Sequence, residues 1–229
     1  IEQHLSNGKL IITPYARKNH MVFRMHFLST ADPLEKNGHQ SLGFLSAYHR
    51  PLEGGHLLIA GLDSEITEGT LWQYQTNPPR FGYLPGLHYD YDVEARIISP
   101  YLHAEWLLDD TTRLTTGLRY DMTEYRYTNH TADGVFGRFL RPANRMDDYH
   151  TLSPKIGLTH QMGQSIIFAN LSRGTRAPQT TDLYRLRVGQ VVGDIQPEKL
   201  DSAEIGWRTV SGPLKFEVSA YKMKKENYY

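Results

Sequence analysis

Apolar and polar residues alternate with a period of two along most of this chain. The clearest run covers residues 113–127, where Leu114, Thr116, Leu118, Tyr120 and Met122 oppose Arg113, Thr115, Gly117, Arg119 and Asp121. A helix cannot sort side chains that way, so the run predicts an extended strand with two unlike faces. The same pattern recurs at 92–108, with Leu102, Ala104, Trp106 and Leu108 against Tyr101, His103 and Glu105, and at 56–74, with Leu58, Ala60 and Leu62 against Gly61, Asp63 and Glu65. A long segment at 10–27 ends with Met21, Phe23, Met25 and Phe27 alternating against Val22, Arg24 and His26, and Pro14 within it predicts a bulge. Further strands are expected at 41–49, 149–161 and 165–172. A last hairpin at 201–209 and 214–227 has Ala203, Ile205 and Trp207 on the apolar face of one arm and Leu214, Phe216, Val218 and Ala220 on the other.

The connections sort by length. Asn7-Gly8 is the strongest short hairpin signal, because both positions of such a turn call for positive φ. Short turns are also expected at Gly54-Gly55, at 109–112, at Gly163 and at Gly212, and long loops at 29–40, 75–90, 129–148 and 173–199. In an up-and-down chain these alternate, so all short turns gather at one end of the sheet and all long loops at the other. Transmembrane β-barrels have this asymmetry, and their strands reach about 9–11 residues against about 5–6 in soluble domains. The pattern therefore implies an all-β, antiparallel, up-and-down transmembrane barrel, of which this chain supplies about ten strands. A soluble β-sandwich would have shorter strands and connections not segregated by length.

Composition narrows this little further. Lysine plus arginine and aspartate plus glutamate each number 25, so no charge excess points to nucleic acid, and the absence of cysteine excludes a disulfide scaffold and thiolate metal sites. No stretch approaches the about 18–20 consecutive apolar residues of a membrane helix. Mean hydropathy is negative at −0.52, yet alternating strands hide their hydrophobicity from any window average. The 15 tyrosines and 19 glycines favour strands, membrane interfaces and tight turns.

Candidate chemistry lies in the long loops and in the aromatic positions. Trp106, Trp207, Tyr120 and Tyr125 read either as an interfacial girdle or as ordinary strand aromatics. Tyr83, His88, Tyr89 and Tyr91 fall in one loop, Arg138, Arg141 and Arg145 in a second, and Arg173, Arg176, Arg185 and Arg187 in a third. Guanidinium groups bind carboxylates and phosphates bidentately, and Tyr and His add hydrogen bonds and stacking, so Tyr83, His88, Tyr89, Arg138, Arg141, Arg173 and Arg176 are candidate contacts to an anionic chelate. The alternatives are that they decorate solvated loops or meet lipopolysaccharide. No histidine pair has metal-ligand spacing, no P-loop, Gly-x-Ser-x-Gly or dinucleotide fingerprint occurs, and a chance grouping such as Ser41, Ser46 and His49 does not make an enzyme. No cofactor, resident metal or catalytic residue is expected.

Two blocks carry a family resemblance: Ser172-Arg173-Gly174-Thr175-Arg176-Ala177-Pro178, and Pro197-Glu198-Lys199-Leu200-Asp201-Ser202-Ala203-Glu204-Ile205-Gly206. They resemble the barrel region of TonB-dependent outer-membrane receptors. Met25-His26-Phe27-Leu28 with Pro33-Leu34-Glu35-Lys36-Asn37-Gly38 is similar to the ferric-citrate and ferric-siderophore branch, and Ala104-Glu105-Trp106, Gly117-Leu118-Arg119-Tyr120-Asp121 and Ser153-Pro154-Lys155-Ile156-Gly157-Leu158 are similar to recurrent strands of the family. The resemblance implies a receptor in a bacterial outer membrane, in contact with its lipid, that takes up a ferric chelate with iron entering only as part of that ligand. It also implies a barrel of about 22 strands gated by a plug and driven by a TonB-type coupling protein. Arg173 and Arg176 belong to a motif shared by receptors of different ligands, which gives them a structural or plug-contacting role as readily as a ligand-binding one. Plug, coupling box and signal peptide are not recognisable here, so the expectation is an interior piece of a longer barrel. The other functions consistent with the pattern are a passive porin and a receptor of the same family for cobalamin or an oligosaccharide.

Overall fold

The computed structural model describes residues 1–24, 33–76, 79, 83–191, 193 and 195–228. The Met25 to Leu28 segment of the motif lies outside the described residues. Strands β1 (Glu2–Leu5), β2 (Gly8–Arg24), β3 (Leu34–Pro51), β4 (Leu57–Gln75), β5 (Gly86–Leu107) and β6 (Thr112–Asn129) follow one another, with a 3-10 turn at Glu53–Gly55. A small hairpin, β7 (Gly134–Phe136) and β8 (Phe139–Arg141), precedes β9 (Arg145–Met162) and β10 (Ser165–Arg176). A short helix α1 (Thr180–Tyr184) and β11 (Leu186–Arg187) then lead to β12 (Glu198–Ser211) and β13 (Leu214–Glu226).

Ten of these strands form one antiparallel sheet in the order β1-β2-β3-β4-β5-β6-β9-β10-β12-β13, and β11, β8 and β7 form a second, small sheet. Each sheet strand pairs with its neighbour in the chain, so the short turns lie at one end and the long connections at the other, as the alternation predicts. At the short end Asp109 accepts from the Thr111 hydroxyl and amide at 2.7 and 2.8 Å. Those bonds hold its carboxyl down at about 2.

Several details differ from the sequence reading. The strands run further toward the long-loop end: β3 begins at Leu34, β5 at Gly86, β9 at Arg145 and β12 at Glu198, and β10 continues to Arg176. Charged residues such as Asp90 and Asp147 read as loop, but ladder hydrogen bonds need no apolar side chains where both faces leave the apolar zone. Pro14 causes no bulge and sits opposite Phe44 in an unbroken register. The Ile12 amide donates to Ile1 at 2.8 Å, so even positions of β2 aim their nitrogens away from β3. Beyond Ile12 that side has no ladder partner among the described residues, and the N–H that proline lacks is not needed there. The first hairpin turns on Ser6 and Asn7, and neither Asn7 nor Gly8 has positive φ. Gly8 is required for a different reason: a Cβ there would lie 2.5 Å from the His49 carbonyl oxygen.

The registers separate two faces. Tyr48 pairs with Ala60, Ala60 with Leu102, Leu102 with Leu118 and Leu118 with Pro154, which makes one continuous apolar row. Ile167 pairs with Trp207, and Trp207 with Val218, on the same face. This face is bare: Leu118 is 47% and Ile205 59% exposed. The other face carries the charges, with Arg119 joined to Asp63 at 2.6 Å and Asp121 at 2.7 Å, and Arg17 to Glu65 at 2.5 Å. Apolar side chains outward and ion pairs inward invert the polarity of a soluble sheet and match a barrel wall set in lipid. Trp106, Trp207 and Tyr120 belong to the outward face, whereas Tyr125 does not. It points inward, is buried, and donates to the Pro178 carbonyl at 3.1 Å.

Candidate functional site

The main buried cluster of the inward face lies at its long-loop end. There the alternation of β5 and β6 aims Tyr89, Tyr91, Tyr125 and Tyr127 inward, and two loop segments fold down onto them, the β7–β8 hairpin and the α1–β11 stretch. Leu183, Tyr184 and Leu186 of the second segment are almost wholly buried. Tyr184 stacks on Tyr127 with centroids 4.5 Å apart and planes at 19°, and Tyr127 lies 5.1 Å from Tyr91. Such pairs contribute about 0.5–1.5 kcal/mol each beyond the area they bury. The result is a lid held to the wall by aromatic packing.

Polar bonds fix the lid at three places. The Tyr89 hydroxyl donates to the Leu186 carbonyl at 2.5 Å. The Tyr184 hydroxyl donates to Asp147 at 2.8 Å, and Asp147 is also gripped by Arg145 through two bonds. Burial first, and then donation to Asp147, push the Tyr184 phenol above the ordinary tyrosine range. At the third place Arg185 reaches Glu35 of β3 at 2.5 Å. Gln73 donates to the same carboxylate at 2.8 Å and Asn37 at 2.9 Å.

A β-bulge shapes the floor. Gln73 pairs with Tyr89 and Tyr74 with Leu87, which leaves His88 unmatched in β5. The extra residue turns two consecutive side chains, His88 and Tyr89, into the interior, an arrangement a regular strand forbids. The His88 ring nitrogens lie 3.0 Å from Gln73 Oε1 and 2.7 Å from the Leu84 carbonyl, and the ring stacks on Phe139 at 4.2 Å. Arg141 donates to the His88 carbonyl at 2.9 Å and to that of Leu87, with its guanidinium 4.4 Å from the Phe136 ring centre. Arg138 stands over Tyr83 at 4.6 Å.

The structure thus brings together Tyr83, His88, Tyr89, Arg138 and Arg141, from two connections that the sequence could not join. His88, Tyr89 and Arg141 are buried against lid and wall rather than open to the lumen. Arg173 and Arg176 are elsewhere. Arg173 is on the outward face, paired with Asp201 at 2.6 Å, and Arg176 is on the inward face, paired with Glu198 at 2.8 Å. Ser41 bonds Thr67 at 2.7 Å, while Ser46 inserts its hydroxyl between the β3 and β4 backbones at Leu62, so the two serines face opposite ways. Sequence reasoning missed Glu35, Gln73, Asp147 and Tyr184. The period-two continuation through Tyr89-x-Tyr91-x-Val93 and Tyr125-x-Tyr127 was the signal that the wall expected a cover.

Below the lid lies a chamber of about 440 Å³ whose lining includes Arg17, His39, Thr70, Tyr91, Thr180 and Thr181. Wall and lid both contribute, and most of these groups donate or accept hydrogen bonds.

Comparison with known proteins agrees with this architecture. Three solved structures superpose over nearly all of the chain. The copper transporter OprC gives a TM-score of 0.76 at 16% identity, covering 96% of this chain and 36% of that one. The ferric citrate transporter FecA in its unliganded form gives 0.76 at 16%, covering 97% and 33%. The ferric yersiniabactin uptake receptor FyuA from Yersinia pestis gives 0.70 at 11%, covering 98% and 34%. The chain spans about a third of the length of these structures. No curated protein sequence matches it. The family model described as TonB dependent receptor-like, beta-barrel matches residues 12–229. That match, on a wall with its apolar face outward and its long loops folded over a polar interior, means that the chain belongs to the TonB-dependent receptor β-barrel family of bacterial outer membranes.

Proposed function

We propose that this wall belongs to a receptor for energised uptake of a ferric chelate, citrate-like or a siderophore, which enters from the long-loop end and is held beneath the α1–β11 lid. The observation that carries this reading is the chamber under α1, where Arg17, His39, Tyr91, Thr180 and Thr181 converge. The Arg17 guanidinium is paired with Glu65, which lines the same chamber, so the groups that would meet the oxygens of a chelate are the His39 imidazole and the hydroxyls of Tyr91, Thr180 and Thr181. The names of the superposed structures, a copper transporter, a ferric citrate transporter and a ferric yersiniabactin receptor, support a metal-bearing cargo. Iron would travel as part of the ligand, and coupling to a TonB-type protein would run through parts of the receptor other than this wall.

The test is transport by cells that lack other ferric-chelate receptors and express the protein, given radio-iron as citrate or as siderophore complexes. Uptake that stops when the proton-motive force is collapsed, with surface binding retained, is the expected result. Uptake that persists without energy would mean a passive pore, and absence of binding to any ferric chelate would remove iron from the account.

A further inference from the structure

Both ring nitrogens of His88 face oxygens that can only accept. Which end of the Gln73 amide meets the ring is fixed by its other neighbour, Glu35. That carboxylate is held by Arg185 at 2.5 Å and Asn37 at 2.9 Å, so it is ionised and accepts only. The Gln73 nitrogen therefore goes to Glu35, at 2.8 Å, and its oxygen to His88 Nδ1, at 3.0 Å. On the other side of the ring Nε2 meets the Leu84 carbonyl at 2.7 Å. A neutral imidazole has one N–H and one lone pair, and satisfies only one of these oxygens. Both are satisfied only by a ring that carries two protons. The ring is fully buried, so a lone pair set against a carbonyl there bears its full cost.

We propose that His88 is a proton-operated catch: a proton taken from solvent onto the ring draws the 83–86 turn, through the Leu84 carbonyl, against the floor of the lid, and loss of that proton lets the turn withdraw. Gly86, at φ 120°, joins this turn to β5 and gives it freedom to move. The charged groups facing the ring come from three other elements. Glu35 of β3 acts through Gln73. Arg138 and Arg141 come from the β7–β8 hairpin, with Arg141 donating to the His88 carbonyl at 2.9 Å. From the α1–β11 stretch, Arg185 is paired with Glu35, and Arg187 lies opposite Phe139, on which the ring stacks. The neighbouring Tyr89 phenol, pushed up to about 12 by burial, takes no part near neutrality.

Burial pulls the pKa of the ring below the ordinary histidine value, the Leu84 bond raises it, and the Arg141 charge lowers it. The catch therefore closes on the acid side of neutrality. Phe139 and Arg141 cover the ring whether or not Leu84 is in place, whereas the Leu84 bond exists only in the caught floor. Relative to a floor from which Leu84 has withdrawn, the caught floor holds the proton more tightly, so it gains as pH falls and loses as pH rises. This holds whatever cargo the lumen carries.

The experiment is hydrogen exchange on the protein purified from outer membranes in detergent, at about pH 5 and about pH 8. Protection is taken against the chemical exchange rate at each pH, which removes the ordinary acceleration by alkali. Wild type should protect the 83–88 amides about tenfold more in acid, one pKa unit being tenfold in the ratio of caught to withdrawn floor. His88→Gln should remove this pH dependence. Glu35→Gln should remove it too, because the Gln73 amide is then free to turn round and donate to a neutral ring. Equal protection of wild type at both pH values, weaker protection in acid, or a pH dependence that survives either substitution would overturn the proposal. Heat-dependent gel mobility reports whether the variants fold, and the wild-type comparison decides the matter if they do not.

Discussion

Arg185 and Glu35, 150 positions apart in the chain, meet at 2.5 Å and fasten the lid of the lumen to the wall. Glu35 is 3% and Arg185 31% exposed, so the carboxylate is the buried partner. Glu35→Gln should loosen the lid by about 2 kcal/mol, less than a fully buried pair would lose because Arg185 keeps some water. Hydrogen exchange of the amides at 180–187 checks this. Adding Arg185→Gln to Glu35→Gln should recover part of the loss, since no charge is then left without its partner.

Tyr184 links the lid to pH. Its folded phenol is raised above the unfolded value near 10 by burial and by the bond to Asp147. A raised value means the stabilisation is complete below pH 10 and is lost as pH rises beyond it, when the unfolded phenol ionises and the docked one resists. Limited proteolysis of the 177–197 segment should therefore accelerate above about pH 10. Tyr184→Phe should accelerate it at neutral pH, by about 1–2 kcal/mol of lost hydrogen bonding, and flatten the alkaline rise.

Gly61 is a packing position rather than a turn. A Cβ there would lie 2.2 Å from the Tyr101 ring and 2.3 Å from the Ser46 carbonyl oxygen, in the place where Ser46 splices the β3–β4 ladder. Gly61→Ala should cost about 1–3 kcal/mol or prevent assembly, because backbone cannot yield as a side chain does. Gly174, with nothing within 4 Å of its virtual Cβ, is the control, and Gly174→Ala should fold normally. Refolding into detergent, followed by heat-dependent gel mobility, distinguishes the two.

The outward face predicts a depth effect. Leu118→Arg, in the middle of the apolar row, should destabilise the wall in lipid by about 2–4 kcal/mol. Thr115→Arg, on the inward face of the same strand, should cost far less. Urea unfolding in bilayers of defined thickness measures both; equal costs would contradict the two-faced wall, and a larger cost for Thr115→Arg would mean that the faces are exchanged.

Most of the fold was legible because a period of two is dictated locally, by which face meets lipid and which meets water. The turns at Gly163 and Gly212 and the strand from Arg113 to Tyr127 needed nothing else. The ends of strands were misread where Asp90 and Asp147 continue a ladder in water, since charge there no longer reports a loop. The site was only half legible. Tyr83, His88, Tyr89, Arg138 and Arg141 could be chosen by chemistry, but their burial under a lid depends on contacts between distant segments. One extra residue at His88 turns that side chain inward, and no local pattern announces it. Arg173 and Arg176 read as loop, but β10 continues through both, and their odd spacing then sets them on opposite faces.

The most direct test of the account is to hold the lid shut. This stretch of sequence has no cysteine, so Glu35→Cys with Arg185→Cys supplies the only thiols within it. A short bis-maleimide suits them better than a disulfide, because side chains as long as Glu and Arg span more than two cysteines can. The account predicts that cross-linking abolishes radio-iron chelate uptake, with protein still at the cell surface, and that either single-cysteine variant treated alike is unaffected. Uptake by the cross-linked protein at the untreated rate would contradict it, for the chelate would then be entering by a route that this lid does not close.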